Sequence, residues 1–326
     1  MDISVIIPVY NGGRTLPQVL DALGSARPAP GEIIVVDDGS TDDSAEQARQ
    51  RGCRVIRLPQ NIGAAAAKNR GAAAAQGAIL FFTDSDIVVP FGIFAGLAHA
   101  FSDREVDGVV GVLDRNIPTA DFPSQFKNLW MNYTYTRFAS GGNIGLFYTS
   151  VAAMRRDCFL ATGGFDENYR GSSIAEDTEF GQRVWAQGTR IRLDPALAVV
   201  HLKRYTLQSV LREDFRRARA LMLMRLRKWG RPFFTSVPVS YQLSVPAVYL
   251  AAAALVLTPL YPLFAVGALL ALGMSCLLNA GLVRLIYRAR GWRMALGALL
   301  LLPVDSFVAG GGMLAASIEF LRGVRY

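Results

Sequence analysis

Short apolar runs alternate with polar turns and helix-forming stretches through the first third of the chain. Runs rich in β-branched residues predict strands at Ile3–Val9, Glu32–Val36, Arg54–Leu58 and Ala78–Phe82. Helices are predicted between them at Leu16–Leu23, Asp42–Gln50 and the alanine-rich Gly63–Gln76. Alternation of strands and helices at this spacing predicts an α/β fold with a parallel sheet and helices on both faces.

Two carboxylates, Asp84 and Asp86, follow the apolar run Ala78–Phe82. They are therefore expected just past the carboxyl end of a core strand, where open α/β sheets bind their ligands. Two acids this close repel each other unless a cation or water separates them, and oxygen ligands suit Mg²⁺ or Mn²⁺ shared with substrate phosphates. The alternative is an aspartate-rich turn that caps the next helix.

The region from Gly108 to Val200 is less regular, with short strands predicted at Ile191–Leu193 and Leu197–Val200. From Leu207 to Trp229 apolar residues recur every three or four positions, while arginines occupy the other faces. This pattern predicts a basic amphipathic helix in the headgroup plane of a membrane. The alternative is a solvated helix packed on the first domain.

Three hydrophobic segments follow, near Val239–Leu260, Pro262–Ile286 and Met294–Phe320. Each has about the 20 apolar residues that a membrane span needs. The arginine-rich loop 284–293 is expected on the cytoplasmic side, so the first two segments predict a hairpin. The third contains Pro303 and Asp305, which leaves a single span and a re-entrant hairpin both open.

The net charge of +8 over 326 residues is concentrated beside these segments, which favours anionic lipid over nucleic acid. The N-terminus is too short and strand-like for a secretory signal, so the first domain is expected in the cytoplasm, at the plasma or inner membrane. The three cysteines are far apart and lack ligand spacing, which is typical of reduced thiols.

Six motifs in order resemble glycosyltransferase family 2, whose catalytic domain has the Rossmann-like GT-A fold. They are V-I-I-P-V-Y-N (5–11), V-V-D-D-G-S-T-D (35–42), N-I-G-A-A-A-A-K-N-R-G (61–71), T-D-S-D (83–86), G-G-F-D-E (163–167) and E-D-T-E-F-G-Q-R (176–183). The resemblance covers about residues 1–205. It implies a GT-A domain over 1–205, a juxtamembrane helix over 206–235 and a transmembrane region over 236–326.

The resemblance also implies roles for individual residues. A nucleotide-sugar donor is expected to contact Pro8, Val9, Tyr10, Asp37, Asp38, Lys68, Asn69, Asp84 and Ser85. A Mg²⁺ or Mn²⁺ ion is expected on Asp84 and Asp86, with His201 as a further ligand or phosphate contact. Asp177 is expected to act as general base with Glu176 and Glu179 orienting it; alternatively, Glu176 and Asp177 only open a helix. Lys68 stands where the family usually has arginine, so bidentate contact with a diphosphate is lost.

The processive members of the family carry Q-x-x-R-W, and this chain does not show that spacing after His201. The prediction is therefore an inverting enzyme that adds one sugar to a hydroxyl of a lipid or lipid-linked acceptor at the membrane. One alternative is transfer to polyprenyl phosphate, which needs no base and would be repelled by the Glu176-Asp177 pair. An alternative of another class is a non-catalytic membrane scaffold.

Overall fold

The computed structural model describes residues 2–139, 142–169, 175–228 and 230–324. The chain divides into two compact units. The first, here called the sheet unit, comprises Met1–Pro118, Tyr135–Lys203 and Pro232–Phe234. The second, here called the helical unit, comprises Thr119–Thr134, Arg204–Arg231 and Thr235–Tyr326. The segment 119–134 thus joins the helical unit although it lies between strands of the sheet, which the sequence pattern did not indicate.

The described residues of the sheet unit form one eight-stranded sheet. Its strands are β1 (Ile3–Val9), β2 (Glu32–Asp37), β3 (Arg54–Arg57), β4 (Ile79–Thr83), β5 (Ile87–Val88), β6 (Gly108–Leu113), β7 (Val151–Arg155) and β8 (Ile191–His201). Their order across the sheet is β3-β2-β1-β4-β7-β6-β8-β5. The two short strands predicted before His201 are one continuous strand, β8.

Helices connect these strands. They are α1 (Leu16–Ser25), α2 (Ser44–Gln50), α3 (Ala64–Ala74), α4 (Ile93–Ala100), α5 (Phe122–Thr136, shared by the two units), α6 (Arg156–Ala161) and α7 (Glu176–Ala186). Helix α3 packs closely on the sheet because Gly71 has no side chain. A Cβ at Gly71 would lie 2.6 Å from Ile6 Cγ2, so the glycine of the third motif is required by packing.

The prediction of a parallel sheet is confirmed for β1 to β4, and β6 also runs parallel to β8. It is wrong for the other three pairs, which are antiparallel. Strand β7 runs antiparallel to both β4 and β6, which makes the sheet mixed. Thr83, the last residue of β4, therefore pairs with Val151, the first residue of β7. His201, at the end of β8, pairs with Ile87. The carboxyl ends of β1, β2 and β4, the start of β7 and the end of β8 supply one edge of the sheet.

The helical unit contains α8 (Leu207–Arg227), α9 (Val239–Leu257), α10 (Leu263–Leu278), α11 (Ala280–Arg290) and α12 (Trp292–Leu321), with part of α5. Among the described residues, α9 and α12 are long and apolar enough to cross a membrane. The pair α10 and α11, bent by 60° at Asn279, would supply a third crossing if it counts as one span. The last hydrophobic segment is a single helix through Pro303, and the re-entrant alternative is not found.

Helix α8 begins at a capping box, in which Thr206 and Ser209 each accept a hydrogen bond from the other's backbone N–H. It packs on α12, where Gly312 is so close that a Cβ would meet Phe215 O at 2.3 Å. The buried residues of α8 include Asp214 and exclude Leu207, which is exposed. The buried face therefore differs from the predicted apolar stripe, whose last member, Trp229, lies outside the described residues.

A chain of buried polar side chains joins four helices of the helical unit. Tyr241 OH on α9 donates to Asp305 Oδ2 on α12 at 2.6 Å. The charge of Asp214 on α8 acts on Asp305, and Asp214 in turn pairs with Lys127 on α5. All four residues are buried. Asp305, the acid within the last apolar helix, is thus a packing residue with partners from three other helices.

Candidate active site

The loops after β1 and β2 are joined into one rim by hydrogen bonds. Asp38 N donates to Val9 O at 2.8 Å, and Asn11 N donates to Ser40 Oγ at 2.9 Å. Gly12 brings this rim against the loop after β4, since a Cβ at Gly12 would lie 3.0 Å from Ser85 Oγ. The loop after β1 and Ser85, both predicted to contact the donor, are therefore neighbours in the structure.

Tyr10 protrudes from this rim with 53% of its surface exposed, which suits a side chain that covers a planar ligand. Pro8 is partly exposed and Val9 is buried. The contact of Pro8, Val9 and Tyr10 with a nucleotide base remains a prediction.

Asp37 and Asp38 are both buried, and their carboxylates hold backbone in place. Asp37 Oδ1 accepts from Ser40 N at 2.9 Å, and Asp37 Oδ2 lies 3.4 Å from Arg57 Nε. Asp38 accepts from Ile62 N at 2.8 Å and from Gly63 N at 2.9 Å. These bonds tie the second motif to the start of the third. The contact of Asp37 and Asp38 with a nucleotide remains a prediction. The structure shows in addition that both residues support the rim.

The two carboxylates after β4 have different neighbours. Asp84 Oδ2 accepts from Ser150 Oγ at 2.6 Å. Asp86 Oδ2 lies 3.3 Å from His201 Nε2, so the predicted grouping of Asp86 with His201 is present in the fold. Burial acts to raise the pKa of Asp86, but the hydrogen bond from His201 and the charges of His201 and Lys203 lower it below its ordinary value. Asp86 is therefore ionised near neutral pH.

A buried ion pair lies beside Asp84. Lys68 Nζ, on α3, is 3.0 Å from Glu176 Oε1 at the start of α7 and 2.5 Å from Thr149 Oγ1. Burial acts to lower the pKa of Lys68, but the carboxylates of Glu176, Asp84 and Asp177 outweigh burial and raise it. Lys68 is thus a permanent cation among three acids. Glu176 Oε2 has no hydrogen-bond partner among the residues that the structure describes.

Asp177 occupies the first turn of α7, directly after Glu176, and is partly exposed. Its Oδ1 accepts from Thr178 N at 2.6 Å and from Thr178 Oγ1 at 3.2 Å. A carboxylate in the first turn of a helix is stabilised by the helix dipole, so the helix-opening interpretation of Asp177 has local support. The charge of Asp177 also raises the pKa of Lys68. Asp177 therefore belongs to the same group of acids around Lys68 as Asp84 and Glu176.

Asn69, expected to contact the donor, is joined to the fifth motif. Its Nδ2 donates to Phe165 O at 2.9 Å, its Oδ1 accepts from Phe165 N at 2.9 Å, and Glu167 Oε1 lies 3.0 Å away. Arg183 holds the same loop by donating to Gly164 O at 2.6 Å. The contact of Asn69 with a donor remains a prediction.

Among the described residues, no group of three or more His, Cys, Asp or Glu side chains is arranged to hold a metal ion. Mg²⁺ is usually bound by one or two carboxylates together with substrate phosphates and water, so a full set of protein ligands is not required. The oxygen donors of Asp84 and the ionised Asp86 fit this mode of binding. His201, which faces Asp86, fits as a neighbouring ligand or as its hydrogen-bond partner.

Thr149 and Ser150 were missed by the sequence analysis, although they contact Lys68 and Asp84. Both immediately precede β7 and are buried. They reach the site because β7 runs antiparallel to β4, so the residues before β7 lie at the carboxyl end of β4. An antiparallel strand at this position is not visible in local sequence, which gave no signal for either residue.

Comparisons with known proteins find glycosyltransferases with similar sequences. The chain is 27% identical over 217 residues to the pre-mycofactocin glycosyltransferase of Mycobacterium tuberculosis, an alignment that covers 64% of this chain and only 44% of that protein. It is 27% identical over 230 residues to the O-antigen chain rhamnosyltransferase RfbN of Salmonella typhimurium, covering 67% of this chain and 70% of RfbN. The chain thus spans less than half the length of the mycobacterial relative.

The fold resembles that of the mannosyltransferase PcManGT from Pyrobaculum calidifontis, solved with GDP-Man and Mn²⁺. The TM-score is 0.61 at 20% sequence identity, and the match covers 98% of this chain and 86% of PcManGT. Residues 4–161 match the family model named Glycosyl transferase family 2. This segment carries the rim, Lys68 and the two aspartates after β4. The chain accordingly contains a glycosyltransferase family 2 domain of GT-A type, followed by C-terminal helices of which two are apolar enough to span a membrane.

Proposed function

We propose that this protein transfers one sugar, with inversion, from a nucleotide-diphosphate sugar to a hydroxyl group of a lipid or lipid-linked acceptor. The observation that carries the proposal is the grouping of Asp84, Glu176 and Asp177 around the buried cation Lys68, beside Asp86 and His201. A fold without chemistry to perform has little reason to collect this many acids at one sheet edge, because each must be compensated.

In this proposal the donor lies across the rim formed by the loops after β1, β2 and β4. Asp84 and Asp86 hold Mg²⁺ or Mn²⁺, and Ser150 orients Asp84 through its hydrogen bond. Bound there, the ion supplies Lewis-acid neutralisation of the charge that develops on the departing diphosphate. His201 and Lys203 keep Asp86 ionised and ready for this role.

Asp177 is proposed as the general base. Its carboxylate takes the proton from the acceptor hydroxyl while that oxygen attacks the anomeric carbon, because a neutral hydroxyl is a poor nucleophile. The bond from the anomeric carbon to the diphosphate breaks as the new bond forms on the opposite face, and the electron pair leaves with the nucleotide. Lys68 acts as a positioning residue, since its pairing with Glu176 fixes the start of α7.

A hydroxyl acceptor is favoured over a phosphate acceptor by charge. Lys68 is already paired with Glu176, and the neighbouring acids Asp84 and Asp177 would repel an anionic acceptor. An acceptor at a membrane is supported by the apolar helices α9 and α12 and by relatives whose names refer to O-antigen chains. The arginines of α11 favour a cytoplasmic location for the sheet unit, at the plasma or inner membrane.

The test is to incubate the purified full-length protein in lipid nanodiscs with Mn²⁺, a panel of nucleotide sugars and membrane lipid extract. We expect a glycosylated lipid whose mass increases by one sugar. Asp177→Asn should bind the donor but form no product, while the matched variant Asp194→Asn, on β8, should remain active.

Other outcomes select the alternatives. Full turnover by Asp177→Asn with polyprenyl phosphate as acceptor would identify that phosphate as the substrate. A wild-type protein that binds no nucleotide sugar in calorimetry would instead be a membrane scaffold.

A further inference from the structure

A groove in the helical unit runs between α10, α11 and α12. It has about 660 Å³ of open space, and its lining includes Gly273, Cys276, Leu277, Ala280, Arg284 and Leu299. Pockets of about 300–1,000 Å³ bury most of a drug-sized molecule, so the groove is large enough for a hydrocarbon chain. Only Arg284 among the lining side chains is charged.

The groove exists because of a bend and small side chains. The helix axis turns by 60° at Asn279, whose Nδ2 donates to Ser275 O at 2.9 Å. The lining residues include Gly273 before the bend, Ala280 after it and Ala295 on α12, which leave space that larger side chains would fill. The open space is therefore encoded by residue type on three helices.

The positive charge at the groove has no counterpart in the helical segments that form it. Arg284 and Arg288 are four residues apart on α11, so they lie on one helix face, and both are exposed. After Pro232 the sequence contains only Asp305 and Glu319 as acids. Asp305 bonds to Tyr241, and Glu319 lies 2.6 Å from Arg219. No acid in these segments is left to neutralise the two arginines.

We propose that this groove binds an anionic phospholipid of the surrounding bilayer. The lipid phosphate lies on Arg284 and Arg288, and one acyl chain occupies the apolar groove beside Leu277 and Leu299. Guanidinium groups bind phosphate oxygens through paired, charge-assisted hydrogen bonds. Basic pockets between membrane helices on the cytoplasmic side are a recognised mode of acidic headgroup binding. The inference is independent of which sugar the protein transfers.

The experiment measures lipid retention by native mass spectrometry of the full-length protein released from nanodiscs of phosphatidylglycerol and phosphatidylcholine. We expect wild type to retain phosphatidylglycerol, and Arg284→Gln/Arg288→Gln to bind it about thirtyfold more weakly, since each of the two arginines contributes about 1 kcal/mol near a membrane. Arg322→Gln removes one positive charge beyond α12, outside the groove, and should retain the lipid.

A second variant tests the groove without changing charge. A Cβ at Gly273 would meet no atom within 4 Å, so Gly273→Leu should fold and fill the space. We expect it also to lose the lipid. Alkylation of Cys276, which lines the groove, should slow when phosphatidylglycerol is bound, as peptide mapping can report.

Retention of phosphatidylglycerol by both Arg284→Gln/Arg288→Gln and Gly273→Leu would overturn the proposal. So would equal retention of phosphatidylcholine, or displacement of phosphatidylglycerol by stoichiometric polyprenyl phosphate, which would make the groove an acceptor site. If the wild-type protein retained phosphatidylglycerol but showed no glycosyl transfer, this result would count against the proposed function alone.

Discussion

Lys68 Nζ lies 3.0 Å from Glu176 Oε1, so two side chains that are 108 positions apart form one buried ion pair in the sheet unit. Sequence resemblance gave these residues separate roles, Lys68 at the donor diphosphate and Glu176 beside the base. Their contact unites the two roles. Helix α3 supplies the cation that allows α7 to begin with two consecutive acids.

Because Lys68 and Glu176 compensate each other's charge, we expect substitutions at the two positions to have non-additive effects on the free energy of unfolding. Removing one partner of a buried ion pair costs about 3–5 kcal/mol, because the other charge stays buried without compensation. We expect Lys68→Met and Glu176→Gln each to lower the free energy of unfolding by about that amount. The double variant should lose clearly less than the sum. Denaturant titration of the four proteins in detergent micelles measures the coupling, and strictly additive losses would show that the pair is not a unit.

Asp86→Asn is expected to remove metal-dependent donor binding. An amide oxygen carries no charge, so the affinity for a nucleotide sugar in the presence of Mn²⁺ should fall at least about tenfold. Calorimetry with and without Mn²⁺ measures this. Asp103→Asn is a matched control, since Asp103 forms an exposed ion pair with Arg192 and such pairs contribute little. Equal affinities for wild type and Asp86→Asn would argue against the metal role.

Glu32 predicts how the stability of the sheet unit depends on pH. Burial acts to raise its pKa, but hydrogen bonds from Ser4 Oγ at 2.6 Å and Gln76 N at 2.7 Å, with the charge of Arg54, lower it. A lowered folded-state pKa gives stability that is present above the unfolded value of about 4.3 and is lost as pH falls through the folded value.

We therefore expect wild type to be more stable than Glu32→Gln at pH 7, with a difference that shrinks below about pH 4.3. Thermal melts from pH 7 to pH 3 measure it. A difference that stays constant over this range would show that the charge of Glu32 contributes nothing.

Two adjacent glycines on α12 offer a matched comparison. A Cβ at Gly312 would meet Phe215 O at 2.3 Å, whereas a Cβ at Gly311 would make only ordinary contacts, the nearest at 3.7 Å. Gly312→Ala should force α8 and α12 apart and lower the melting temperature. Gly311→Ala should be neutral or slightly stabilising, because alanine favours helix by about 1 kcal/mol over glycine. Equal effects of the two substitutions would contradict the close approach of α8 and α12.

Local signals in the sequence predicted the elements well. The strand Ile3–Val9 has the predicted bounds, and α3 and α8 begin close to their predicted starts. These elements depend on short apolar runs, alanine content and helix caps, all of which act over a few residues. The edge position of Asp84 and Asp86 follows from the strand before them.

Long-range pairing was not predictable in the same way. The antiparallel insertion of β7, which brings Thr149 and Ser150 to the site, depends on tertiary contacts that leave no local pattern. The same holds for the partners of Lys68 and Asn69, since a motif shows which residues occur together and not which atoms they bond. The buried face of α8 was also missed, because its burial is decided by Gly312 and by the Asp214–Lys127 pair.

Through the buried polar residues from Tyr241 to Lys127, the packing of the last helix, α12, depends on helices that are synthesised before it. Carried alone into hydrocarbon, the Asp305 carboxylate would cost about 2.5–3.5 kcal/mol. Asp214 and the cation Lys127 precede Asp305 in the chain and are synthesised earlier. Both are therefore available to pair when α12 is made. A protein truncated before α12 keeps Tyr241 and Asp214 without the acid that joins them. We therefore expect α12 to pack stably only after the earlier helices of the helical unit have assembled.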